Sequence, residues 1–225
     1  MRYLVFDKWG GKLCDAKKSA ANTDDDLMCW AAAASNVLAW TRWGFPNSYN
    51  FVDENGIFQY FLDHWADSDG FPQFAWDWWF SGASQPGVET PGGAFWAPAY
   101  NFQEFYRVQN DRTMVLEAIA EFVENGFGAV LELISTGGGH FLTCWGYERS
   151  PGGDFVGVYF TDSDNPKTGL LYDMVYQDTP GTEWAGYKDW WYLDSYIQPR
   201  KYLLAAVHAL VPIRPQPPTG LKITS

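Results

Sequence analysis

The chain changes character at Asn125-Gly126, and that change limits the folds open to it. Before it, apolar residues recur at helical spacing; after it, they come in short extended runs separated by Gly and Pro. Trp30–Trp40 reads as a helix, because Ala is the best helix former and its small side chain allows a neighbour to approach closely. Asp24-Asp25-Asp26 stands just ahead of it, where a helix start favours Asp as cap and dipole partner. Ile57, Phe58, Phe61, Leu62 and Trp65 mark a second helix over Phe58–Trp65, and Val115, Ile119, Phe122 and Val123 form the stripe of a third over Asp111–Glu124, with Asp111 as its cap. Gly44-Phe45-Pro46-Asn47 signals a turn, and the Gly-, Pro- and Trp-rich stretch 67–99 reads as long, ring-packed loops. Beyond Gly126, the runs 127–134, 141–147, 156–161, 170–175 and 201–211 read as strands.

This segregation predicts an α+β fold: a helical half (1–126) packed on a mostly antiparallel sheet half (127–212), not alternating βαβ units. A single domain is expected over 1–212. Residues 213–225 form a proline-rich linker or tail, which suggests that the natural protein continues. With 47% hydrophobic and 19% charged residues the chain is globular, not disordered. A formal net charge of −12 argues against a nucleic-acid partner. No apolar run approaches the roughly 18 residues of a membrane span. Met1–Asp7 is too short and too soon charged for a signal peptide, so a mature or trimmed form is expected. Three cysteines cannot complete a disulfide framework, and a Cys14–Cys144 pair stays open.

A thiol attacks as its thiolate, which needs a helix N-terminus, an imidazolium, or both. Cys29 stands where the alanine-rich helix begins. Of the three histidines, His64 lies in an aromatic helical stretch and His208 in a late strand. His140 follows Gly137-Gly138-Gly139 and opens the run Phe141–Tyr147, so it can face a cleft without steric obstruction. A base of this kind needs a third group to hold its ring. The next strand ends in Thr161-Asp162-Ser163-Asp164-Asn165, and hairpin pairing with the His140 strand would bring Asp162 or Asp164 to the imidazole, both carboxylates on one face. Taken singly, each piece has a plainer reading: a small buried thiol, a turn histidine, a solvated or weak calcium-type loop. Their order along the chain points to nucleophilic catalysis. Cys144 reads as a buried structural thiol.

Cys29-Trp30-Ala31 and its helix resemble the nucleophile segment of papain-like peptidases. More narrowly, Asp24–Trp40, Gly139-His140 with Trp145-Gly146, and Val158–Asn165 resemble the IdeS/Mac-type immunoglobulin-degrading endopeptidases. The resemblance covers about a third of the chain and implies a papain-like fold, with the nucleophile helix packed on the sheet. It implies Cys29 as nucleophile, His140 as general acid and base, Asp162 as orienting carboxylate and Asp164 as its support. It further implies an oxyanion lysine, Lys18 or its neighbour Lys17, with the Cys29 N–H as second donor. A protein or peptide substrate and a secreted or cell-surface location follow, and no metal or organic cofactor is required. Immunoglobulin specificity does not carry over, because Gly44–Tyr106 matches nothing in that family. Two rivals remain: an acyltransferase or deamidase with the same triad, and a carbohydrate-binding module or glycosidase built on Trp76, Trp78, Trp79 and Trp96, with Asp77 and Glu104 as carboxylates.

Overall fold

A computed structural model describes residues 1–19, 24–135, 137–177, 190–194 and 202–213. The proline-rich stretch from 214 onward lies outside them. Eight strands form one sheet: β1 (Arg2–Leu4), β2 (Tyr106–Gln109), β3 (Gly128–Ser135), β4 (Gly138–Arg149), β5 (Phe155–Thr161), β6 (Leu171–Gln177), β7 (Trp191–Leu193) and β8 (Tyr202–Leu210). The path runs β4-β3-β8-β7-β6-β5, and β5 pairs back onto β4. Every pairing is antiparallel, so six strands close into a barrel.

This overturns the expected papain-like fold, a helical half packed on a mostly antiparallel sheet half. The physical reason is the length of β4: its first half pairs with β3 and its second with β5, with Thr143 and Cys144 bonded on both edges, which brings the two ends of the sheet together. Nor are the halves segregated, because the N-terminal half supplies two strands. β1 lies on β4 beyond the end of β3, and β2 lies on β8 beyond the end of β7. β1 docks only because residue 146 is Gly: a Cβ there would fall 2.1 Å from the Tyr3 carbonyl oxygen.

The helices are α1 (Val5–Trp9), α2 (Cys29–Thr41), α3 (Glu54–His64), α4 (Pro72–Ser81), α5 (Phe102–Phe105) and α6 (Val115–Glu124). α2 is the centre of the molecule. Every residue from Trp30 to Thr41 is buried, between α3 and α4 on one side and β3 and β4 on the other. A helix apolar all round is a core helix, and its alanines let these neighbours close in. Its buried polar groups are satisfied. Ser35 and Thr41 donate back to the Ala31 and Val37 carbonyls, while Asn36 accepts from the Ala16 N–H at 2.7 Å and donates to Thr143 Oγ1 at 2.9 Å. Asn36 therefore ties the helix to the barrel and to the N-terminal segment.

The sequence expectations differ from this structure at three helices. The expected Asp cap of α2 is absent: Met28 is the N-cap, and Asp25 instead accepts from the Ser19 N–H at 2.7 Å. Asp111 closes a turn ahead of α6, accepting from the Thr113 N–H and hydroxyl, rather than capping the helix itself. The stretch 67–99, expected as loop throughout, contains α4. Pro72 at its first turn and Gly82 just past its end, at φ 70°, are the signals that mark it.

Candidate functional site

Cys29 is the first residue of α2 and is half-buried. The Ala31 and Ala32 N–H groups both bond the Met28 carbonyl, and among the described residues the Cys29 N–H has no acceptor. It is a donor left over at the positive end of a 13-residue helix, beside its own thiol.

His140 sits two residues inside β4, after the turn that joins β3 to β4. Its Nε2 lies 2.9 Å from Asp162 Oδ1, and both side chains are buried. The Cys29 thiol is near enough to the ring to act on its protonation. With Nε2 engaged on Asp162, Nδ1 is the nitrogen left for sulfur. Burial alone would lower the imidazole pKa. The interactions with Asp162 and Cys29 outweigh burial and hold it raised to about 10. The ring is thus a cation at neutral pH, set between the thiol and a carboxylate.

Asp162 follows the last residue of β5. Thr161 fixes that point by accepting from Trp145 Nε1 at 2.9 Å and donating to the Cys14 carbonyl at 3.3 Å. Strand pairing of Thr143 with Thr161 brings the two chain segments together as expected. The Asp164 approach has another origin. Its N–H donates to Asp162 Oδ1 at 2.9 Å, so a turn, not strand alternation, folds it back. Asp164 Oδ2 then lies 3.9 Å from His140 Nδ1.

The two lysines part company. Lys17 donates to the Asp162 carbonyl at 2.6 Å and pairs with Asp15, bracing the turn from behind. Lys18 pairs with Asp164 Oδ1 at 2.7 Å and also bonds the Asp26 carbonyl, just ahead of α2. Of the two, Lys18 is the one joined to the carboxylate on the Nδ1 side of His140. His140, Asp162 and Asp164 offer ligand atoms within 4.8 Å of one another, a spacing a divalent ion could bridge. In this arrangement His140 and the Asp164 N–H already share Asp162 Oδ1, and Lys18 takes Asp164.

A cleft of about 580 Å³ opens at Cys29. Leu27, Trp30, Phe71, Phe141, Ile134 and the Gly137–Gly139 turn line it, with Asp69 and Glu132 as its carboxylates. Trp30 is held by its indole N–H, which donates to the Ser68 carbonyl at 2.9 Å. Glu132 was not foreseen. It lies in an apolar strand run, and only the cross-strand neighbourhood shows that it reaches the cleft.

The other candidates lie elsewhere. His64 bonds Thr90 Oγ1 at 2.7 Å, and His208 lies between Tyr106 and Glu132. Cys14 and Cys144 are free, buried thiols. Burial pushes both up, Cys144 to about 12, which keeps them protonated. Trp76, Trp78 and Trp79 are buried in the core. The Trp79 and Trp96 indoles both donate to the Trp43 carbonyl, and Trp76 donates to that of Ala34. The buried Trp76, Trp78 and Trp79 rings cannot stack on a sugar, while Trp96 is half-buried. Asp77 is taken up by Ser81 and Gln85 within its own helix and the following loop. Glu104 stands exposed on the short helix α5.

No protein-family profile matches the chain, and no curated protein matches it.

Proposed function

We propose that the protein is a cysteine endopeptidase working through a thioester acyl-enzyme. The observation that carries this reading is His140, held by Asp162 at 2.9 Å and coupled to the Cys29 thiol at the start of α2, beside an apolar cleft. Asp162 holds the imidazole by Nε2, so Nδ1 exchanges its proton with sulfur. The Cys29 thiolate attacks a substrate carbonyl carbon, and the electron pair displaced onto oxygen is met by the Cys29 N–H and the Lys18 ammonium. Collapse breaks the C–N bond as His140 Nδ1 gives its proton to the leaving amine. Nδ1 then takes a proton from water, whose oxygen attacks the thioester, and the C–S bond breaks to return the thiolate. The resemblance to IdeS/Mac-type enzymes supports the same assignment and, with it, a secreted or cell-surface setting. Residue roles come over with that likeness; the fold does not.

The test is product analysis by mass spectrometry on a denatured-protein digest panel. Wild type should yield new peptide termini, and Cys29→Ala none. A one-unit mass gain on intact peptides would instead identify a deamidase, and amine adducts a transferase. Cleavage by Cys29→Ala at the wild-type rate would refute the proposal.

A further inference from the structure

The proton chemistry leaves Glu132 unused, although it lines the cleft that holds Cys29. Glu132 is set with care. Its Oε2 lies 3.1 Å from His208 Nε2, and His208 Nδ1 lies 2.7 Å from the Tyr106 hydroxyl. His208 is buried, and burial pushes the Tyr106 phenol up, so it remains an O–H donor. If the Tyr106 hydroxyl donates to Nδ1, Nε2 carries the ring hydrogen and donates to Glu132. The whole line is then satisfied from the Tyr106 hydroxyl to the Glu132 carboxylate. Its Oε1 takes no hydrogen bond from the described residues, and its side chain remains 22% exposed.

Around this carboxylate the cleft is apolar. Phe71 and Phe141 stand edge to face with ring centroids 5.7 Å apart, and Ile134 and Leu133 continue the wall. The other carboxyl side chain lining it is Asp69, and no Lys or Arg does so among the described residues. A partly desolvated carboxylate at an apolar wall selects a long side chain with an aliphatic stem and a cationic tip. It disfavours an acidic one through like-charge contact. The chain's charge of −12 steers in the same direction.

We propose that Glu132 forms a specificity subsite for a Lys or Arg side chain of the peptide cleaved at Cys29, its stem lying along the Phe71–Phe141 ring pair. This rests on the peptidase reading above and names its substrate class. A purely structural Glu132, serving only to pair His208, would alter stability without altering which side chain is preferred.

A positional-scanning library of internally quenched peptides tests it on the wild-type protein. At one position near the scissile bond, Arg or Lys should exceed norleucine by at least about tenfold in kcat/KM, with Glu the poorest residue. Glu132→Gln should reduce the Arg-to-norleucine ratio by about tenfold, and Glu132→Lys should turn the preference toward Glu. Peptide cleavage with no basic preference at any position, or an unchanged ratio in Glu132→Gln, overturns the subsite and leaves the peptidase standing. If no peptide is cleaved, the peptidase reading fails, and the subsite is read by protection of Cys29 from iodoacetamide. Butylguanidinium should protect wild type at concentrations about tenfold below those of neutral butylurea, and Glu132→Gln should abolish the difference. Equal protection by the two compounds in wild type overturns it.

Discussion

His140 carries a large electrostatic consequence for a single residue. Its pKa in the unfolded chain is about 6.5, and in the fold it is raised to about 10. The ion pair therefore adds stability that is fully present below pH 6.5 and is lost as pH rises through about 10. Denaturant titrations of wild type and His140→Gln should diverge at pH 6 and converge above pH 10. In turnover, the alkaline limb of kcat/KM should lie near pH 10, because loss of the imidazolium proton removes the acid; Asp162→Asn should move that limb to lower pH and reduce kcat/KM about 10²–10⁴-fold. A limb near pH 6.5 in wild type would contradict the geometry. Asn36 matters for stability. It has two buried partners, so Asn36→Ala should cost about 3 kcal/mol by leaving the Ala16 N–H and Thr143 hydroxyl unpaired, measurable as a lower denaturant midpoint. Cys29, His140 and Asp162 were legible in sequence because each has a local signature: helix start, glycine-led strand, strand end. Asn36, Glu132 and His208 were not, because their roles arise from partners 20, 76 and 107 residues away that only the fold brings together.

At the scale of elements, α2 and the strands β3, β4, β5, β6 and β8 were readable from the sequence, most of them as apolar runs that the fold buries. α4 was hidden by its composition. Trp76, Trp78, Trp79 and Phe80 are all buried, so no polar face breaks the run into a helical pattern, and the flanking Gly and Pro suggested loop. β1, β2 and β7 were missed because strands of three or four residues carry no period of their own and exist through their partners. This gives a test of the β1 docking. Gly146→Ala must push β1 away from β4, and it should destabilise the protein by about 2 kcal/mol, whereas alanine at Gly153, where φ is positive but a Cβ meets nothing, should cost less. Equal midpoints for the two variants would show that β1 does not hold that register.

At the scale of the molecule, the sheet closes and the sequence did not say so. Closure depends on β4 being bonded on both edges, a property of register and not of residue type. The local resemblance around Cys29, His140 and Asp162 carried an expectation of layering that the barrel corrects. What the barrel does provide is rigid placement, since β3, β4 and β5 together fix the Glu132 wall, His140 and the approach to Asp162. α2, packed across β3 and β4, brings Cys29 to them. The proposed mechanism requires that this placement activate one thiol of three. Brief alkylation with iodoacetamide at pH 6, followed by peptide mapping, tests it directly. Cys29 should be labelled rapidly, Cys14 and Cys144 should be spared by burial, and His140→Ala should slow Cys29 labelling at least about tenfold by removing the imidazolium. Labelling of Cys29 that is slow in wild type, or unchanged in His140→Ala, would contradict it.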